Sequence, residues 1–109
     1  ELLAGSPWLR PLATPGSGPL LRYPLAVAEP AQRAPLQAAL RALGIEPGVW
    51  FDDVVHPSGS QRHGYLAGSC SHGEALAARI VNLPLGWHAR LSTRQIDGLR
   101  RLARAVPAA

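Results

Sequence analysis

The chain has 109 residues, 47% of them hydrophobic and 17% charged, a balance that fits one folded domain and excludes a disordered polypeptide. No apolar run approaches the roughly 20 residues a membrane helix needs, and no basic start followed by an apolar stretch marks a secretory leader. The net charge of +4 permits contact with phosphate or nucleic acid. However, Arg10, Arg22, Arg33, Arg41, Arg62 and Arg79 are spread singly, so nucleic acid is not the expected partner.

All 11 basic residues are arginine. Chemistry that needs an amine nucleophile, such as a Schiff base, therefore has no side chain here to carry it. The absence of methionine and the start at Glu1 lead us to expect a piece of a longer polypeptide. A single cysteine, Cys70, excludes an internal disulfide and points to a reducing compartment or simply to indifference; the expected setting is cytoplasmic.

Residues 1–19 are expected to be irregular, a linker or a segment laid across another surface. Pro7, Pro11, Pro15 and Pro19 remove backbone donors too often for a helix. Trp8 and Leu9 are the expected anchor. Residues 20–109 are then the domain proper. Residues 20–28 predict a strand, with Leu21, Tyr23, Leu25 and Val27 on one face. Pro24 predicts that this strand is an edge, or that its proline nitrogen faces away from a partner.

Residues 33–43 predict a helix. Pro35 suits the first turn, and Leu36, Leu40 and Leu43 form a stripe. Gly44 supplies a left-handed stop, with Ile45 folding back in a Schellman ending. Residues 48–55 predict a second strand, interrupted by Asp52 and Asp53. Residues 56–72 predict a long loop. A helix over 73–81 follows, with Ser71 and Glu74 at capping-box spacing and Leu76 and Ile80 on one side. A short strand over 82–85 ends at Pro84 and Gly86. The last helix spans 92–105, opened by a Ser92/Gln95 capping box, with Ile96, Leu99, Ala103 and Val106 inward and Arg94, Arg100, Arg101 and Arg104 outward. This order predicts an α+β two-layer domain, a small sheet covered by helices.

The loop over 56–72 holds His56, His63, Cys70 and His72, which are metal-ligand types, but without the tight paired spacing of structural zinc sites. No metal site is expected. Cys70 has no oriented base beside it in the sequence, so it reads as a small half-buried side chain rather than a nucleophile. Asp52 and Asp53, being adjacent on a strand, would face opposite ways and cannot share one substrate. Their expected role is to accept from arginine or loop amides. No self-contained catalytic set is present.

Taken in order, these segments resemble the C-terminal part of the StrS/DegT family of pyridoxal-phosphate-dependent sugar aminotransferases. LLRYPLAV (20–27) looks like the entering strand of the small domain. Arg33 with LQAALRALGI (36–45) is similar to the family's helix and its Gly-Ile ending. VWFDDVVHP (49–57) resembles the following strand, which closes on a histidine. GEALAARIVNLPLGWHARLSTRQIDGLRRLA (73–103) looks like the ending, with a Leu-Pro-Leu strand and a last helix opened by serine or threonine. The likeness runs from Leu20 to Val106. Pro57 and the stretch 58–72 depart from it.

The resemblance implies an aspartate-aminotransferase-like fold, with this chain as its small domain, inactive by itself. It implies transamination of nucleotide-linked keto-sugars and a homodimer. The cofactor, pyridoxal 5'-phosphate, would be held by a large N-terminal domain that also carries the catalytic lysine. It assigns no catalytic or cofactor-binding residue to this chain. It points to His56 as a contact for substrate or phosphate. The alternative is a small basic module that grips nucleic acid or phosphate with the arginine-rich last helix.

Overall fold

The computed structural model describes residues 2–13, 16, 18, 20–48, 51–56, 59–85 and 90–107. A 3-10 turn over Pro30–Gln32 leads into α1 (Arg33–Ala42), whose inward stripe buries Leu36 and Leu40. The helix stops as its residues dictate. Gly44 adopts φ +73°, its amide donates to the Arg41 carbonyl at 2.8 Å, and the Ile45 amide donates to the Leu40 carbonyl at 2.9 Å. Those two bonds are the Schellman pair, and they return Ile45 to the core at 4% exposure.

Three antiparallel strands form one sheet in the order β1-β2-β3: β1 (Leu9–Pro11), β2 (Arg22–Val27) and β3 (Ile80–Pro84). Leu9 pairs with Val27, and Leu25 pairs with Val81. These four residues, all buried, give the sheet an apolar face. Against it lie Leu36 and Leu40 of α1, and Leu99 and Ala103 of α3 (Thr93–Arg104). The arrangement is a small α+β domain, an antiparallel sheet with helices on its apolar face. A short helix, α2 (Ser71–Ala77), precedes β3, and an Arg33 Nη1 donates to its Ala77 carbonyl at 3.3 Å. That carbonyl lies at a helix end, where a cation is favoured.

The junction of α1 and α3 is close. A Cβ on Gly98 would stand 2.5 Å from the Leu43 methyls, so glycine leaves room for the Leu43 side chain against α3. Ser92 caps α3: its hydroxyl accepts from the Gln95 amide, and the Gln95 side-chain oxygen accepts from the Ser92 amide at 2.9 Å. The same Gln95 donates through Nε2 to the Leu43 and Gly44 carbonyls at 3.2 and 3.3 Å.

Several expectations need correction. Leu9–Pro11, within the stretch expected to be irregular, is the edge strand, and Leu3, Trp8 and Leu9 are buried in the core. Trp8 anchors the segment as expected, its indole donating to the Leu102 carbonyl at 2.8 Å. Prolines 15 and 19 lie outside the described residues. The strand bearing Pro24 is central, not an edge. It tolerates the proline because residues 24, 26 and 28 turn their backbone groups toward β1: the Leu12 amide donates to Pro24 O (3.0 Å) and the Ala28 amide to Trp8 O (2.8 Å). The missing donor of Pro24 thus falls just past Pro11, where β1 has ended. Leu21 lies before the strand and is 81% exposed.

No strand forms over 51–55. Gly48 makes one isolated bridge to Asn82, and Val49 and Trp50 lie outside the described residues. The Asp52-Asp53 pair ends pairing, since Asp53 turns its carboxylate onto local amides. The second helix, α2, starts at Ser71 and ends at Ala77, so Ile80 belongs to β3 rather than to a helix face. The Ser71/Glu74 capping box is not made: Cys70 is the N-cap, and Glu74 is drawn to other donors. Gly86 lies outside the described residues, and Val106 is 44% exposed, beyond the end of α3.

Leu40, 1% exposed, sits where α1 meets sheet and α3. We expect Leu40→Ala to cost about 2–5 kcal/mol through lost transfer energy and a residual cavity. Leu66→Ala, at an exposed loop position, is expected to stay within about 0.5 kcal/mol. Urea unfolding followed by circular dichroism checks both.

Candidate functional site, a loop cleft held by two carboxylates

The connection between α1 and α2 carries most of the chain's functional side-chain types, and two carboxylates shape its described part. Asp53 accepts from the Val54 amide through Oδ1 at 2.7 Å and from the Gly59 amide through Oδ2 at 2.9 Å. One side chain therefore brackets the turn on which His56 stands. His56 is exposed, with its ring edge-on to Phe51 at 5.9 Å between centroids. Phe51 itself is 51% exposed, so the pair forms an aromatic shelf at the surface.

Glu74, in the first turn of α2, gathers the other side. Its Oε1 accepts from the Tyr65 hydroxyl and from the Gly68 amide, both at 2.6 Å. The Tyr65 oxygen in turn accepts from the Cys70 amide at 3.0 Å. The loop over 65–70 is thereby closed onto the start of the helix by one carboxylate. The Tyr65 hydroxyl, then the Gly68 amide, hold Glu74 below the usual carboxylate range, against partial burial and the nearby Asp53 charge. The same bond, with burial, raises Tyr65 above its ordinary value.

Between the two carboxylates lies a cleft of about 310 Å³, lined by Asp53, Val54, Arg62, Tyr65 and Glu74 among others. His56 is on the turn beside this cleft rather than in its lining. Arg62, in a 3-10 turn over Ser60–His63, is exposed. Its methylene Cδ lies 3.6 Å from where a Cβ on Gly59 would stand, so its stem runs along the turn that Asp53 holds. Gly73 is constrained as well: a Cβ there would meet Cys70 Sγ and Val54 Cγ1 at 2.8 Å, so α2 packs its first turn against the His56-bearing segment.

The sequence-derived candidates are not brought together. His63, Cys70 and His72 are all exposed. Among the described residues no three histidine, cysteine or acidic side chains converge on one point that could hold a metal. Cys70 stands at the N-cap of α2, exposed rather than half-buried; its amide donates to the Tyr65 oxygen and its carbonyl accepts from the Glu74 amide at 2.9 Å. Asp52 is exposed, and Asp53 takes the loop amides that sequence reasoning expected of the pair. The Tyr65–Glu74 bond was missed. Its only sequence signal was a glutamate at capping-box spacing, which pointed to the wrong partner. What the arrangement does chemically is present a fixed turn with an imidazole, beside a cleft edged by one guanidinium and one phenol.

No family model matches the chain, and no curated protein and no solved structure matches it.

The clasp makes a pH prediction. A carboxylate held below its ordinary value stabilises its loop fully above the unfolded value, 4.5, and the contribution is lost as pH falls through the lower folded value. Tyr65 works in the other direction: its contribution is present below 10.0 and lost as pH rises through its raised value. The amide resonances of Gly68 and Cys70 should therefore hold steady across neutral pH and move together only at the two extremes. In Glu74→Ala they should sit at loop-like positions throughout, as an NMR titration would show.

Proposed function

We propose that this chain is the C-terminal small domain of an enzyme similar to the StrS/DegT aminotransferases, which transfer an amino group to a nucleotide-linked keto-sugar. One observation carries the reading. Three of the four segments that bear the resemblance fall, in order, on elements of one packed core, whereas 49–57, which it takes as a strand, forms none over residues 51–55. Residues 20–27 supply β2, residues 36–45 supply α1 with its Gly-Ile ending, residues 80–84 supply β3, and residues 92–103 supply the capped α3.

Pyridoxal phosphate supplies an electron sink for such chemistry when bound. The residues present here do not fit the role of its holder. The link to that cofactor is an imine with a lysine amine, and this chain contains no lysine. No step of the reaction is therefore derived from these side chains. Their part is enclosure: the Asp53-held turn and the Glu74-held loop form the kind of rigid rim that positions and covers a substrate carried by another domain. His56, exposed on that rim, is the proposed contact for a substrate hydroxyl or phosphate. A homodimer and a cytoplasmic setting belong to the same proposal.

The test is made on the product of the whole gene that encodes this chain. Loaded with pyridoxal phosphate, it should transfer an amino group from glutamate or glutamine to a nucleotide-linked keto-sugar. His56→Ala should lower kcat/KM by about tenfold, mostly through KM, as expected for a lost binding contact. A whole gene product without a lysine that forms the imine overturns the reading, as does a complete product with no transaminase activity on any such sugar.

A further inference from the structure

We infer that the cleft between α3 and the turn at residues 4–7 is a binding site for a phosphate group carried on a small molecule. The cleft holds about 580 Å³, within the range of about 300–1,000 Å³ common to small-molecule sites. One wall is α3. Arg100 and Arg104 stand four residues apart, which places them on one side of the helix, with Ala103 beside them. The other wall is the turn, which contributes Gly5, Ser6 and Pro7.

The polar side chains of this lining are all donors. Ser6 Oγ accepts from the Leu9 amide at 3.1 Å and from the Trp8 amide at 3.4 Å. Both lone pairs are thus engaged, and the hydroxyl proton is left to donate outward. The two guanidiniums have no acceptor atom at all. No carboxylate lines the cleft among the described residues. A lining of donors fits a guest that only accepts, and a dianionic phosphate monoester or diphosphate is such a guest, matched in geometry by arginine.

The walls are also fixed relative to one another. The Trp8 indole donates to the Leu102 carbonyl at 2.8 Å, pinning the residues after the turn to the last turn of α3. The Ser6 amide donates to the Leu3 carbonyl at 3.4 Å, which closes the turn itself. Arg104 makes no ion pair among the described residues. Arg100 is shared: Asp97 takes its Nη1 at 3.0 Å, and so competes with a guest. This cleft shares no lining residue with the cleft at Asp53 and Glu74, and the inference does not rest on the aminotransferase reading.

Titration of the full chain with inorganic pyrophosphate at low ionic strength, followed by calorimetry, tests it. Binding should be saturable with one guest per chain. Arg100→Gln with Arg104→Gln should weaken it by about tenfold or more, because two charge-assisted contacts are removed. Asp97→Asn should tighten it by about threefold, by releasing Arg100. Arg94→Gln with Arg101→Gln removes the same charge from α3 outside the cleft and should change it less than about twofold. All four arginines are exposed, so the variants should fold. Equal weakening by the two double variants would reduce the site to a general positive field and overturn the inference. So would the absence of saturation, or tighter, steeply salt-dependent binding of a short DNA duplex, which would make the face a polyanion surface instead.

Discussion

The Gln95 side chain closes two helix ends at once. Its oxygen completes the N-terminal cap of α3, and its nitrogen satisfies the Leu43 and Gly44 carbonyls where α1 stops. Both helix termini would otherwise present orphan backbone groups at the junction where the helices meet. The close approach at Gly98 and Leu43 then follows from a polar constraint as well as an apolar one. Leu99 and Ala103 of α3 share one apolar cluster with Leu36 and Leu40 of α1 and with the sheet residues Leu9, Leu25, Val27 and Val81. The N-terminal segment is drawn in by the same helix, since the Leu102 carbonyl near its end is where the Trp8 indole binds.

The loop side of the molecule is held by a different kind of force. Among the described residues, neither the His56 turn nor the 65–70 loop contributes to the buried core. Each is closed by one carboxylate that collects two short hydrogen bonds, Asp53 for the first and Glu74 for the second. Hydrogen bonds to an ionised acceptor are about twice as strong as neutral ones, and geometry set in this way does not need apolar burial. The consequence is a division of labour: the core sets where the rim sits, and the carboxylates set its shape. Loops fixed at the surface in this manner are suited to contact with a substrate or a partner domain.

Legibility in the sequence followed the range of the deciding interaction. The ending of α1 at Gly44 and Ile45, the Ser92 cap and the Leu25–Val27 face were readable because each depends on residues a few positions apart. The strand at Leu9–Pro11 was not, because its pairing partners lie at Leu25–Val27 and its prolines resemble those of a linker. Pro11 is acceptable there because it pairs opposite Leu25, whose backbone groups face β3, so the proline nitrogen lies on the open edge. Glu74 shows the same limit at the site. Capping-box spacing to Ser71 was a local signal, but a phenol nine residues away and the Gly68 amide reached it instead. His56 was legible as a position on a loop, whereas the turn that presents it depends on Asp53 reaching Gly59 across six residues.

The distribution of charge explains why the two clefts differ in character. The acidic side chains are largely consumed locally: Glu46 by Arg41 at 3.1 Å, Asp97 by Arg100, and Asp53 and Glu74 by loop donors. The arginines outnumber them, 11 against 7 acidic residues, and Arg94, Arg101 and Arg104 of α3 have no ion-pair partner among the described residues. The excess positive charge therefore appears along the solvent side of α3, and the N-terminal turn forms a concave lining beside Arg100 and Arg104. At the other cleft Asp53 and Glu74 accept from loop amides and the Tyr65 hydroxyl, and Arg62 lines the same cleft.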